Sequence, residues 1–105
     1  MATKYKLNFT PVAYEDLDQI YNHIAIELQA DKAAIELMEN IEDKIMRLKQ
    51  FPYSCELVND ALLQEKGYRK IIIDNYMVFY IIEEKNKNVI VMRIIYGARQ
   101  YERML

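Results

Sequence analysis

Glycine, proline, cysteine and histidine are scarce in this sequence of 105 residues, which holds two glycines, two prolines, one cysteine and one histidine. So few chain breakers argue against a disordered or linker-rich chain, and no low-complexity segment is visible. The single cysteine, Cys55, cannot form an internal disulfide, which fits a reducing cytoplasm. We therefore expect one cytoplasmic domain covering residues 1–105.

Long hydrophobic runs are also missing. The longest uncharged apolar stretches, residues 71–73, 77–82 and 89–92, are strand-sized and too short to span a bilayer. The first six residues contain no apolar signal segment, so neither export nor membrane association is expected. No metal-ligand cluster or glycine-rich phosphate loop is recognisable, and the sequence predicts no cofactor and no metal.

The net charge of −2 hides an uneven distribution. Residues 1–66 hold seven Lys/Arg and twelve Asp/Glu, whereas residues 67–105 hold seven Lys/Arg and four Asp/Glu. Charge alone therefore predicts no affinity of the whole protein for nucleic acid, but it leaves room for a basic face on the C-terminal half. The uneven distribution is also common in small domains whose helices are rich in Glu.

The first half of the chain reads as one strand and two helices. Residues 5–9 alternate between apolar and polar side chains, as in a half-buried strand. Thr10 and Pro11 then begin a helix as N-cap and first helical residue, with acids early in the helix at Glu15 and Asp16. Asp31 is the predicted N-cap of the second helix, which should end near Gln50. Both helices carry an apolar stripe at helical spacing: Ala13, Leu17, Ile20, Ile24 and Leu28 in the first, and Ala34, Leu37, Met38, Ile41, Ile45 and Leu48 in the second.

The second half reads as a loop followed by a three-stranded meander. Residues 60–66 are expected to form one or two helical turns that stop at Gly67. Strands are predicted at residues 68–73, 76–83 and 89–96, and short polar turns join them. The nearly continuous apolar run at 76–82 is typical of a central strand. The predicted fold class is α+β with the order β-α-α-β-β-β: a helical hairpin packed on one mainly antiparallel four-stranded sheet.

Several local patterns, in this order, resemble those of the RelE/ParE toxin superfamily over essentially the whole chain. They are the acidic-then-apolar opening of the first helix, the close of the second helix and the segments of the meander: YEDLDQIY at 14–21, LKQFP at 48–52, GYRK at 67–70, NYMVFY at 75–80 and YGAR at 96–99. The resemblance, closer to ParE-like members, implies a toxin of a bacterial type II toxin–antitoxin system.

Such a resemblance implies plasmid stabilisation or growth inhibition, with neutralisation by a cognate antitoxin and operator DNA contacted only through that antitoxin. It also implies one of two activities. ParE-like members poison DNA gyrase, whereas RelE-like members cleave messenger RNA on the ribosome and are enzymes. The choice between these targets depends on the individual residues.

Metal-free RNA cleavage needs a base, an acid and cations over the phosphate. RelE-like toxins resemble one another in placing cations on the first meander strand, just after the tyrosine of the next strand and after the last strand. Arg69 and Arg99 match the outer two positions, but Met77 occupies the middle one, and a thioether carries no charge. Tyr101 is a possible stand-in for a C-terminal catalytic residue. These observations favour a ParE-like protein that binds a protein target.

Five basic residues are the predicted target-binding set: Arg69, Lys70, Arg93, Arg99 and Arg103. The alternative reading is that they keep the sheet and the tail soluble. A nuclease would instead use Arg69, Arg99 and Tyr101. His23 is expected on the surface of the first helix, and Cys55 is expected to be an inert thiol. An antitoxin segment is expected to cover the sheet face away from the helices. A third alternative is a non-toxic relative that only binds an antitoxin.

Overall fold

The computed structural model describes residues 4–97 and 104–105. Four strands and three α-helices follow one another as β1 (Lys6–Phe9), α1 (Pro11–Asn22), α2 (Asp31–Met46), α3 (Ala61–Glu65), β2 (Arg69–Ile73), β3 (Tyr76–Glu83) and β4 (Asn88–Tyr96). The strand order is β1-β4-β3-β2, with β1 parallel to β4 and the other pairs antiparallel. The predicted fold class, two helices on one mainly antiparallel four-stranded sheet, is confirmed.

The start of α1 follows from local chemistry. The Thr10 side chain accepts a hydrogen bond from the Ala13 backbone N–H at 3.0 Å, and Pro11 follows with its ring already set for the helix. The backbone N–H of Thr10 also donates to the Val91 carbonyl at 3.0 Å, directly after the last residue pair of β1 and β4. The cap therefore fixes α1 to the sheet at the point where β1 ends.

The end of the first helical segment differs from the prediction. After α1 the chain makes a π-helical turn over His23–Glu27. A π turn holds more residues than an α turn, so it shifts the side chains that follow out of the helical stripe. Ala25 is buried, whereas Leu28, the last member of the predicted stripe, is 59% exposed. The expectation that the stripe continues to Leu28 is wrong for this reason.

The second helix begins one residue earlier than expected. Ala30 is its N-cap and makes no side-chain capping bond, and Asp31 is already inside the first turn. The carboxylate of Asp31 therefore lies near the positive end of the helix dipole without capping it. The helix tightens into a 3₁₀ turn at Arg47–Lys49, so its end agrees with the prediction.

The core lies on both faces of the sheet. Helix-facing residues of the two central strands, among them Val78, Val91 and Ile94, pack against Ala13, Leu37, Ile41 and Ile45. On the other face Phe79 and Ile95 are buried beneath Val58, Leu63 and Tyr68 from the segment before β2, and Met104 and Leu105 pack there as well. Three consecutive buried residues in β3, Val78, Phe79 and Tyr80, confirm the predicted central strand.

This packing bears on the predicted antitoxin surface, because the sheet face away from the helices, where an antitoxin segment is expected, is already partly covered by the chain itself. The short helix α3, which Asp60 caps through its side chain and Gly67 follows in the left-handed region (φ 85°), lies in the segment that covers it. Some apolar residues of β3 and β4 on that face, such as the paired Ile81 and Ile90, remain half-buried.

Candidate functional site

The structure separates the described members of the predicted basic set. Arg69 and Lys70 are the first two residues of β2, at the edge of the sheet, so their side chains leave opposite faces. Arg93 lies on β4, two strands away. Arg99, Tyr101 and Arg103 lie outside the described residues. Their predicted roles, and the nuclease set that needs two of them, stay predictions.

Arg69 holds the loop that precedes α3. Its Nη1 donates to the Cys55 carbonyl at 2.6 Å, and its guanidinium carbon lies 4.9 Å from the centre of the Tyr53 ring. The buried hydroxyl of Tyr80, the residue opposite Arg69 on β3, donates to the Pro52 carbonyl at 2.8 Å. Burial raises the pKa of Tyr80 well above its usual value, so this hydroxyl stays protonated and able to donate. Arg69 and Tyr80 thus fix residues 52–55 to the sheet.

Arg93 is engaged in a mostly buried ion pair. Its Nε and Nη2 donate to the two carboxylate oxygens of Asp16 at 2.8 and 3.0 Å, and its Nη1 donates to the Met104 carbonyl at 3.0 Å. The backbone N–H of Ile94 also donates to Asp16, at 3.0 Å. The hydrogen bond with Asp16 raises the pKa of Arg93 above its usual value. Asp16 is 8% exposed and is the one buried charged residue in the described part of the chain.

The position of β1 explains this use of Asp16. The pairing of β1 with β4 ends at Phe9 and Val91, so among residues 4–97 and 104–105 no strand lies along the outer edge of β4 beyond that point. Asp16, in the second turn of α1, accepts the edge N–H of Ile94 in place of a strand. Asp16 was predicted only as an acid early in the first helix, and its bonds to Arg93 and Ile94 are a role that the sequence did not indicate.

Lys70 is the described member of the set whose charge has no partner within residues 4–97 and 104–105. Its backbone N–H donates to the Glu56 carbonyl at 3.3 Å, and it is half-buried on the edge strand. Lys70 therefore fits the predicted role of a target contact better than Arg69 or Arg93, whose guanidinium groups are bound within the fold.

Met77 belongs to the apolar cluster on the sheet face away from the helices. It packs against the residues around Phe79 and Ile95, and it lies opposite Ile72 on β2. It also lines a shallow cavity of about 310 Å³ together with Asn75 and Gly97. The position at which RelE-like toxins carry a cation is thus an apolar packing position here.

His23 and Cys55 are the histidine and the cysteine of the chain, and neither lies in a cluster of catalytic or metal-binding groups among the described residues. The His23 ring is exposed and pairs with Glu27 one turn later, as expected of a helix-surface histidine. It also lines a cavity of about 500 Å³ with Gln19, Tyr76 and Arg93, which its distance from Arg93 in the sequence did not indicate. Cys55 is a half-buried free thiol. Within the described ranges, no group of three or more His, Cys, Asp or Glu residues could hold a metal ion. Nor is any helix there both long and apolar enough to cross a membrane.

A carboxylate network that the sequence did not reveal joins three distant segments. Glu84, in the 3₁₀ turn between β3 and β4, accepts hydrogen bonds from the Tyr5 hydroxyl at 2.8 Å and from the Tyr53 hydroxyl at 2.6 Å, and it pairs with Lys87. These donors, Lys87 foremost, lower the pKa of Glu84 to about 2. The hydrogen bond to Glu84 in turn raises the pKa of Tyr53. No periodic pattern in the sequence marks this set.

The network predicts a pH-dependent contribution to stability. Because the pKa of Glu84 is lower in the folded chain than in the unfolded one, its contribution is present above about pH 4.5 and is lost as the pH falls toward about 2. We expect urea midpoints of the wild type and of Glu84→Gln to differ at pH 7 and to converge between pH 4.5 and 2. Comparing the two proteins cancels the titration of other carboxylates. A difference that persists unchanged at pH 2.5 would contradict the assignment.

Comparison with known proteins adds the family. The family model for the ParE toxin of the type II toxin–antitoxin system parDE matches residues 7–101. This chain belongs to the ParE toxin family. The match takes in all four strands and all three α-helices apart from the first residue of β1. No curated protein sequence matches the chain significantly.

Solved structures similar to this family member include three from toxin–antitoxin systems. A chain of the chromosomal ParDE system of P. aeruginosa is 19% identical with a TM-score of 0.72, and the alignment covers 90% of this chain and 98% of that one. A chain of the RelBE2 complex of Mycobacterium tuberculosis is 17% identical with a TM-score of 0.60, and the alignment covers 89% of this chain and 98% of that one. A chain of the archaeal RelE–RelB complex of Pyrococcus horikoshii OT3 is 11% identical with a TM-score of 0.53, and the alignment covers 91% of this chain and 98% of that one. At these identities the likeness shows the fold alone.

Proposed function

We propose that this ParE-family chain inhibits bacterial growth by binding a protein target, with DNA gyrase favoured, and that a cognate antitoxin neutralises it. The observation that carries the choice of target is the position of Met77. Its side chain packs in the apolar cluster that attaches residues 58–68 to the sheet. Because Met77 is half-buried, a charged group there would lose part of the solvation that it has in water.

The engagement of Arg69 supports the same choice. Cations that stabilise a developing negative charge must point at the reacting phosphate. The Arg69 guanidinium instead holds the Cys55 carbonyl and lies against Tyr53. A RelE-like ribonuclease would have to rely on Arg99 and Tyr101, with Arg69 released from its contacts. This second activity is the alternative that the experiment below separates.

An apolar groove beside β1 is the surface that we assign to the antitoxin. It has a volume of about 350 Å³, and its apolar lining comes from β1, α1 and α2: Leu7, Phe9, Leu17, Met38, Ile41, Ile45 and Met46. Since β1 is an edge strand, a partner segment there can pair with a free strand edge as well as fill the groove. The similar structures from P. aeruginosa, M. tuberculosis and P. horikoshii come from toxin–antitoxin systems, which fits such a partner.

Met46→Glu is expected to weaken neutralisation by the antitoxin at least tenfold while the chain still folds. Met46 is 43% exposed at the rim of the groove, so a carboxylate there stays solvated in the free toxin but would be buried under an apolar partner. The measurement is the dissociation constant of the complex formed with the protein encoded beside this chain. The matched control is Leu62→Glu, which places the same charge on α3 at a 71% exposed position outside the groove. Equal weakening by both variants would contradict the assignment of the groove.

The target is tested by inducing the chain without its antitoxin and following thymidine and methionine incorporation through the first minutes. An early fall of thymidine incorporation alone is expected, because inhibition of gyrase stops replication first. An early fall of methionine incorporation alone would overturn the proposal in favour of ribosome-dependent cleavage. If neither falls while the protein accumulates, the chain is a non-toxic relative that binds an antitoxin. Co-expression of the antitoxin is the control for each result.

A Met77→Arg variant tests whether the chain descends from a ribonuclease that lost the cation at position 77. If the arginine creates cleavage of messenger RNA on ribosomes, the chain descends from a nuclease that lost one cation. We expect no cleavage, because an arginine at position 77 would enter the apolar cluster around Phe79 and Ile95. Cleavage by the wild type itself would overturn the binding proposal.

A further inference from the structure

Cations from four separate segments meet at one end of the sheet. The chain enters β1, leaves α2, enters β2 and turns from β3 to β4 at this end. We call it the basic end and define it by the seven cations that these segments carry: Lys4, Lys6, Arg47, Lys49, Arg69, Lys85 and Lys87. The acids of these segments, including the last turns of α2, are Glu42, Asp43, Glu56, Glu83 and Glu84. The basic end therefore has seven cations against five acids, although the whole chain carries −2.

Direct contacts show that these segments adjoin one another. The backbone N–H of Tyr5 donates to the Lys49 carbonyl, and that of Lys6 donates to the Lys87 carbonyl, both at 2.8 Å. The Lys87 Nζ lies 5.2 Å from the centre of the Tyr5 ring. The Glu84 network then links Tyr5 to Tyr53, on whose ring Arg69 lies. The basic end is thus a continuous surface that the sequence distributes over 84 positions.

Most of this positive charge is not neutralised within the fold. Lys87 pairs with Glu84, and Arg69 holds the Cys55 carbonyl. The remaining five cations, in the part of the chain that the structure describes, have no carboxylate partner: Lys4, Lys6, Arg47, Lys49 and Lys85. Asp43, one turn before Arg47 on α2, also forms no ion pair with it there.

We propose that the basic end binds the phosphodiester backbone of nucleic acid. This goes beyond the proposed function, which needs no contact between the toxin and nucleic acid. Lysine predominates here, and lysine is depleted at protein–protein interfaces but is a common partner of phosphates. A protein partner would be expected to place an apolar anchor in a pocket. None of the seven cations lines the three cavities described above.

The acidic helices do not cancel this local attraction. The molecule is 43 Å long, whereas charges in about 0.15 M salt are screened beyond about 8 Å. Among the acids of α2, Glu42 and Asp43 lie within about 8 Å of Arg47 along the helix axis, whereas Glu36 lies eleven residues before it, roughly 16 Å away. A phosphate at the basic end therefore experiences the nearby lysines more strongly than the distant carboxylates.

The test measures binding of the purified full chain to a fluorescent 20-base-pair DNA duplex and to one of its strands between 50 and 200 mM NaCl. We expect micromolar to submillimolar dissociation constants. The logarithm of the association constant for the duplex should fall with log salt at a slope of about −2.7 to −4.5, as three to five phosphate contacts imply. The slope for the single strand should be smaller, since its phosphates hold fewer condensed ions.

Lys6→Glu/Lys85→Glu is the decisive variant, because both side chains are exposed and neither forms an ion pair with any described residue. We expect at least tenfold weaker binding at 50 mM salt and a duplex slope shallower by about 1.8. The control, Lys32→Glu/Lys66→Glu, makes the same change of charge at exposed positions on α2 and at the end of α3, and circular dichroism verifies the fold of both. Equal weakening in the control, or an unchanged slope in the test variant, would overturn the proposal. If neither the duplex nor the single strand binds, the proposal is overturned. Binding of a polyglutamate peptide in that case would assign the basic end to an acidic protein instead.

Discussion

Replacing Asp16 by alanine is expected to lower the free energy of unfolding by about 3 kcal/mol or more. The Asp16 carboxylate accepts both the Arg93 fork and the backbone N–H of Ile94. Its removal leaves a guanidinium with 21% of its side chain exposed and a buried backbone donor without their acceptor. Removing one partner of a buried ion pair is costly because the other charge stays in the protein interior. Arg93 is partly exposed, so we expect the lower part of the usual range.

Urea denaturation at pH 7 measures this effect, and Asp18→Ala is the matched control. Asp18 lies two residues further along α1, is exposed and makes no ion pair within the described residues, so its replacement should change stability by less than about 0.5 kcal/mol. Arg93→Ala and the double variant complete a cycle. If the pair acts as the geometry indicates, the double variant loses less than the sum of the two single losses. A loss in Asp16→Ala no greater than in Asp18→Ala would contradict the role of the pair.

The same pair changes how a loss of toxicity in an Arg93 variant should be interpreted. Arg93 joins α1 to β4 and bonds to the Met104 carbonyl, so its removal disturbs the fold at several points. A non-toxic Arg93 variant with lowered stability carries no information on the target. Lys70, whose ammonium group has no bound partner in the described chain, is the more informative position for testing the predicted target surface.

Local signals in the sequence were sufficient for most of the fold. The Thr10 cap, the stop at Gly67 and the apolar run that became β3 are each set by neighbours in the chain, and each is confirmed. There were two exceptions. The second helix begins at Asp31 with Ala30 as its N-cap, and the first helical segment ends in a π turn at His23–Glu27 that shifts the stripe. A prediction that assumes 3.6 residues per turn throughout does not detect the extra residue that a π turn adds.

The candidate site was less predictable because its contacts join residues far apart in the chain. Arg93 and Asp16 are separated by 77 positions, and Tyr5 and Glu84 by 79. The sequence shows that these residues are charged or aromatic. It does not show that the pairing of β1 with β4 ends at Val91, or that Asp16 then accepts the backbone N–H of Ile94. Arginines that looked free to meet a target are therefore partly used by the fold. A long-range pairing of charges needs the topology before it can be inferred.

The burial of the α2 stripe gives the second large expected effect. Ile41→Ala should cost about 3 kcal/mol of unfolding free energy, within the usual range for a buried isoleucine. Ile41 is 2% exposed and packs with Ile45, Val78 and Ile94 at the centre of the helix–sheet interface. Neighbouring side chains on a sheet are held by their own strands, so they do not collapse fully into the space that the deletion leaves.

Ile35→Ala provides a control of identical chemistry on the same helix. Ile35 is 48% exposed, and both substitutions gain the same few tenths of a kcal/mol in helix propensity. Urea unfolding at pH 7 should therefore show a large loss for Ile41→Ala, a change within about 0.5 kcal/mol for Ile35→Ala, and equal m-values. Similar losses in both variants would mean that α2 does not present its predicted stripe to the sheet. The groove assigned to the antitoxin would then lose its basis as well, because Ile41 lines it together with Met38 and Ile45.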